Sequence, residues 1–286
     1  MQHTAPARIL APARMPVRRS LPSLLARVSF FVDVADSVAS ALTRRAREGR
    51  PHTEWTLSYD LAMSALRRAA HAHPELSTEL ARSNTAPRPP SLLRRVRLSQ
   101  GTLAGLPAEV HTPHDFHHGA PTILYLHGGG YVTGSPRTHR EVLTRIANVS
   151  GARCIAPDYR LAPTHPFPAA LDDALACYRD LLAAGQAPEQ LFVGGDSAGG
   201  GLTLALMQRL RDARLPMPRA LVLLSPWVDL SLPPEALAPW GDHDYLAAEP
   251  MVTQARAYAG SHALTHPLIS PIHGNMHGLP PMLVQT

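Results

Sequence analysis

Eight residues, Gly194 to Gly201, read GGDSAGGG and set one hydroxyl among small side chains. Gly195-Asp196-Ser197-Ala198-Gly199 matches G-x-S-x-G, with the apolar run LFVGG before it and the helix-forming run LTLALMQRL after it. That context is a sharp strand-to-helix bend, which lifts a serine hydroxyl clear of a sheet. Glycine two residues to either side of Ser197 gives the room that a Cβ would take from neighbouring backbone. The bend also puts Ser197 at a helix N-terminus, where free N–H groups favour developing negative charge. Ser197 is therefore a candidate nucleophile; the plain alternative is a serine that caps a glycine-rich helix start.

A second cluster, His127-Gly128-Gly129-Gly130, follows directly on the run TILYL. Consecutive residues without side chains let backbone amides converge on one oxygen, and each such donor aimed at a tetrahedral oxyanion is worth ~3 kcal/mol. Gly128, Gly129 and Gly130 are thus candidate oxyanion donors, with a purely structural loop as the alternative. His127 precedes the serine in the chain, against the order usual for this motif, so it reads as a residue that positions the loop.

The acceptor of the serine proton is harder to find. Asp229, in SPWVDL, is a possible substitute acid, its ordinary reading being a loop residue. Histidines after Ser197 are His243, flanked by Asp242 and Asp244, then His262, His266, His273 and His277. Each reads as a loop histidine first and a base second. No metal site is expected: HExxH is missing, and the one H-x-H, His71-Ala72-His73, has no evident third ligand. No cofactor is expected either.

The elements that must hold these groups follow from periodicity. Thr122–Leu126, Arg153–Ala156, Leu191–Val193 and Ala220–Leu224 are apolar runs, separated by amphipathic segments at Thr138–Val149, Ala169–Ala183 and Ala198–Ala213. Strands apolar on both faces that alternate with helices predict a mostly parallel sheet covered on both sides, an α/β fold. Arg95–Leu98 and Ala108–His111 predict an antiparallel entry hairpin. Leu21–Arg47 and Trp55–Ala72 repeat the helical spacing without a strand between them. Residues 228–264, with prolines and Trp240, break the α/β rhythm and read as an insertion.

The 286 residues are 45% hydrophobic, enough for a substantial core. Cys154 and Cys177 lie in apolar surroundings and read as reduced, buried thiols in preference to a disulfide, which points to the cytoplasm. Residues 1–20 carry four arginines and no acid, a basic flexible arm without the apolar run of a secretory leader. Leu21–Leu42 is broken by Arg27, Asp33 and Asp36, so no spanning helix is predicted. All 27 basic residues are arginine, and 16 of them fall in residues 1–100 against 7 acids. That excess reads as solvated helix faces, with contact to an anionic lipid surface as the alternative. Without aromatic interleaving or a binding module, no nucleic-acid partner is expected.

HGGG, Asp158-Tyr159-Arg160-Leu161-Ala162-Pro163, Phe167-Pro168-Ala169-Ala170 and GDSAGG, in that order, resemble the hormone-sensitive-lipase branch of the α/β-hydrolases and its bacterial carboxylesterases. The resemblance covers about residues 91–286. It implies a carboxylic ester hydrolase acting by acyl transfer to Ser197, with amides of Gly129, Gly130 and Ala198 as oxyanion donors and a small-molecule ester or lipid-like substrate. It also implies that residues 21–90 and 228–264 form a helical cap, and that DYRLAP and Asp172-Asp173 are scaffolding. Family members carry the triad acid after the next strand and the histidine after the last. Here that next strand is Pro280–Gln285, and neither an acid nor a histidine follows it before Thr286. The resemblance thus implies a core whose final strand and helix, with the triad acid and histidine, are missing. A non-catalytic remnant or ligand binder of the same fold is the alternative, and oligomeric state is not readable.

Overall fold

A computed structural model describes residues 24–49, 56–72, 95–117, 119–237, 246 and 248–286. They form β1 (Val96–Leu103), β2 (Leu106–Pro113), β3 (Thr122–Leu126), β4 (Arg153–Pro157), β5 (Leu191–Asp196), β6 (Ala220–Leu224) and β7 (Met282–Gln285). The helices are α1 (Leu24–Glu48), α2 (Leu57–Ala72), α3 (Arg140–Ser150), α4 (Ala169–Ala183), α5 (Ala198–Asp212), α6 (Pro234–Leu237) and α7 (Ala248–Ala259).

All seven strands join one sheet in the order β1-β2-β4-β3-β5-β6-β7. β1 pairs antiparallel with β2 and β2 antiparallel with β4, while every other pair is parallel. The expected α/β architecture, parallel sheet with an antiparallel entry hairpin, is what forms. Strand alternation divides the core between two faces. Leu124, Leu126, Ile155 and Val193 pack with Leu171 and Leu175 of α4 and Leu202 and Leu206 of α5. Ile123, Tyr125, Cys154 and Ala156 turn the other way and meet Leu143 and Ala147 of α3. Because the side-chain period of a strand is two, a one-residue slip would exchange these two sets, which fixes the register. Both cysteines are free and buried, and burial pushes each thiol up to about 12.

The described residues fall into two compact units, one within 95–231 and 254–286, the other within 24–72 and 232–253. In the second unit α1 and α2 run antiparallel. Ser37 Oγ donates to Ser64 O at 2.7 Å, and Arg44 and Arg45 reach the buried Asp60 carboxylate at 3.0 and 3.4 Å. The inserted piece, 232–253, is shorter than the expected 228–264 at both ends. Residues 228–231 are tied to the sheet unit by Ile272 N to Val228 O at 3.2 Å and Leu230 N to Ser270 Oγ at 2.7 Å. At the far end, Tyr258 stacks on Tyr131 with ring centroids 3.7 Å apart. The basic arm at 1–20 lies outside the described residues. Among those described, no helix is long and apolar enough to cross a membrane.

Candidate active site

β5 ends at Asp196 and α5 begins at Ala198, so Ser197 alone turns the chain. Its φ of 50° and ψ of −121° lie where a residue with a Cβ is strained, and its surroundings hold it there. Ser197 N donates to Leu224 O at 2.9 Å, and Ser197 O accepts from Gly200 N at 3.0 Å, Gly201 N at 3.1 Å and Trp227 N at 2.8 Å. The side chain makes no capping hydrogen bond, which removes the N-cap alternative. The flanking glycines behave as the motif requires. A Cβ on Gly195 or on Gly199 would collide with the carbonyl of Leu126 at the end of β3, and Gly199 also abuts His127 O. The bend and the HGGG segment are therefore packed backbone to backbone.

Within HGGG, Gly129 and Gly130 have φ of 124° and 60°, and Tyr131 follows at 63°. Gly129 O accepts from Val132 N at 3.1 Å and Thr133 N at 2.9 Å, closing the turn, while a side chain at Gly130 would strike the carboxamide of Gln254. Among the described residues nothing accepts from the amides of Gly129, Gly130 or Ala198. These three amides are donors without acceptors among the described residues, and Ser197 Oγ has no hydrogen-bond partner among them. Gly128 does not belong to that set. Its N–H donates to Asp196 Oδ1 at 3.0 Å, so the expectation that Gly128 is a donor is corrected: its amide is already spent on anchoring the loop.

Asp196 is the hub of that anchorage, and sequence reasoning passed over it as the variable position of the motif. Oδ1 also accepts from Tyr125 OH at 2.9 Å, and Oδ2 faces His139 Nε2 at 3.3 Å. Burial would raise the carboxyl, but His139, Tyr125 and the Gly128 amide outweigh it and hold Asp196 below its ordinary value. His139 lies twelve residues beyond His127 with nothing in its spacing to mark it; only the fold brings it here.

His127 is fully buried, stacked on Tyr159 at 4.2 Å, with Nδ1 at 2.9 Å from Gly128 O. Burial first, then the nearby His139, lower it to about 4, so the ring resists taking up a proton near pH 7 and is a poor base. Tyr159 OH donates to His127 O at 2.6 Å, and Arg160 binds Asp173 through contacts of 2.7 to 3.0 Å. The DYRLAP segment thus braces the loop from below.

The remaining candidates gather elsewhere. Asp229 Oδ1 lies 3.4 Å from His273 Nε2 and accepts from Ser231 Oγ at 2.6 Å. Ser231 and His273 hold Asp229 low against the opposing effect of its burial. The candidate acid and one candidate base therefore pair with each other. Pro271 O, two residues before His273, binds Gln208 Nε2 at 3.0 Å, eleven residues along α5 from Ser197, ~16 Å up the helix. His262 and His266 pack on Phe167 at 5.0 and 5.3 Å. His243, His73 and the His71 side chain lie outside the described residues. Among those described, Ser197 Oγ hydrogen-bonds to no histidine and no acid, and no three His, Cys, Asp or Glu residues could together hold a metal ion.

Residues 123–286 match the family model described as the alpha/beta hydrolase fold. An acetyl-hydrolase of Streptomyces hygroscopicus is 43% identical over 165 residues, 57% of this chain and 55% of that protein. An esterase of Acinetobacter venetianus is 38% identical over 169 residues, 57% of this chain and 54% of that protein. The crystal structure of the hormone-sensitive-lipase homologue EstE7, from a metagenome library, superposes with a TM-score of 0.66 at 33% identity, covering 91% of this chain and 77% of that one. The chain spans little more than half the length of the curated relatives it matches.

Proposed function

Because the chain belongs to the α/β-hydrolase fold family, in its hormone-sensitive-lipase branch, we propose that it is built for carboxylic ester hydrolysis with Ser197 as the acyl acceptor. The observation that carries this reading is the Ser197 hydroxyl on a strained bend, with no hydrogen-bond partner among the described residues, together with the amides of Gly129, Gly130 and Ala198, which donate to none of those residues. Ser197 Oγ attacks the ester carbonyl carbon, its proton passing to a base. The carbonyl oxygen becomes an oxyanion that accepts from the three amides. Collapse of this intermediate expels the alcohol, and water then releases the acid from Ser197. The substrate class is small-molecule esters, as the names of the matched relatives suggest.

Among the described residues no histidine and no acid meets Ser197 Oγ, so the reading assigns no base within them. An oxyanion hole acting without its base typically retains ~10³–10⁴ over the water reaction. A slow rate that depends on Ser197 is therefore expected. The unpartnered hydroxyl also favours a second reading, a non-catalytic binder of the same fold. Labelling with a fluorophosphonate, together with turnover of a chromogenic short-chain ester, separates the two. Wild type is expected to label and Ser197→Ala to lose both label and residual turnover. Equal turnover in the two proteins would overturn the enzymatic reading.

A further inference from the structure

Each ring nitrogen of His139 faces an oxygen that can only accept, a carboxylate on one side and a carbonyl on the other. Nε2 lies 3.3 Å from the Asp196 carboxylate. Nδ1 lies 3.2 Å from Ser135 O and 2.9 Å from Thr138 Oγ1, a hydroxyl that also lies 2.8 Å from Ser135 O and can donate or accept. A neutral imidazole has one donor and one acceptor nitrogen, so it would turn a lone pair on a carbonyl or on a carboxylate. Only the doubly protonated ring donates both to the Ser135 carbonyl and to the Asp196 carboxylate. The other groups around it are the ring of His127, 5.5 Å away, and Tyr125, whose hydroxyl is committed to Asp196.

The Asp196 carboxylate, for its part, sits one residue before the nucleophile and holds the Gly128 amide. Left uncompensated, that charge would oppose the oxyanion expected at the next two amides. We propose that His139 is a buried imidazolium and a positioning residue of the glycine loop: it neutralises Asp196 and keeps that carboxylate turned to Gly128 N–H. Its bearing on reactivity rests on the proposed oxyanion role of Gly129 and Gly130, whereas its charge state does not. The direction of its titration agrees: burial would lower His139, but the hydrogen bond to Asp196 and the charge of Asp196 more than reverse this, leaving it above 6.5.

The test is a pH titration of the 15N-labelled full chain by NMR. His139 is expected to show two protonated ring nitrogens at pH 7, and the Gly128 amide to move with the same midpoint above 6.5. A neutral His139 at pH 7, or a Gly128 amide that ignores its titration, would overturn the proposal. His139→Gln keeps an N–H for Asp196 but no charge. Fluorophosphonate labelling of Ser197 in that variant is expected to be on the order of tenfold slower and to lack the fall in rate expected of wild type above the His139 midpoint. A variant matching wild type in rate and pH profile would also overturn it. If wild type does not label at any pH, the esterase reading fails alone, and the NMR titration still decides the state of His139.

Discussion

At the scale of single residues, the motif glycines differ sharply from the other glycines of the fold. A methyl group on Gly199 is driven into Leu126 O and His127 O, which are backbone atoms that cannot step aside. Gly151, the C-cap of α3, has φ of 68° with open space around it, so a methyl group there meets only the left-handed strain. Gly199→Ala is expected to cost ~3 kcal/mol or more through overpacking. Gly151→Ala is expected to cost ~1 kcal/mol. Urea unfolding of the two variants checks the contrast, and equal losses would refute the close packing of the bend against β3. Such residues were legible because their lack of side chains is itself the signal. His139 and Asp196 were not, since a pair formed between the end of one strand and the start of a distant helix leaves no period or spacing in the chain. The same blindness explains Gly128: sequence shows three amides in a row but not which one a carboxylate has already taken.

Elements were legible where one strong local rule governs them. α4 runs from Ala169 to Ala183 and β6 from Ala220 to Leu224, as their apolar spacing predicts. Boundaries moved where side chains or prolines intervene. α3 starts at Arg140 and not at Thr138, because Thr138 Oγ1 bonds back to Ser135 and closes a turn instead. β7 starts at Met282 and not at Pro280, since neither Pro280 nor Pro281 has an N–H to offer the ladder. β5 runs on to Asp196, past the expected Val193, because Gly194 to Asp196 pair with Val222 to Leu224 of β6. β7 also carries a liability. Among the described residues it pairs only with β6, and Leu283 is 64% exposed, with Met282 and Val284 exposed beside it. An apolar edge strand is a template for pairing with another chain. Leu283→Lys is expected to reduce self-association of the purified protein in sedimentation velocity while shifting Tm little. Unchanged sedimentation would show that this edge is not the contact.

For the whole molecule, the buried titratable groups set how stability responds to acid, and three of them decide the sign. His111 and His127 are fully buried, and burial is the largest reason that each falls to about 4 from 6.5. Between those values the unfolded chain takes up protons that the folded chain refuses, so stability drops as pH falls, by up to about 3 kcal/mol for each histidine. Asp158 works the other way. Burial and the charge of Glu109 raise it to about 6 from 3.8, so the folded chain binds that proton first and gains up to about 3 kcal/mol over the same range. Two losses against one gain leave a net loss of about 3 kcal/mol between pH 6.5 and 4, a large share of the 5–15 kcal/mol typical of a domain. His139 acts on the alkaline side: its raised value stabilises fully below 6.5, and that contribution disappears as pH rises through the folded value. Urea midpoints across pH 4 to 9 are therefore expected to peak between the two limbs. Asp158→Asn, which removes the offsetting gain, is expected to steepen the acid limb and leave the alkaline one unchanged. An acid limb no steeper in that variant would mean that Asp158 is ionised in the fold, and that the balance of the buried groups lies elsewhere.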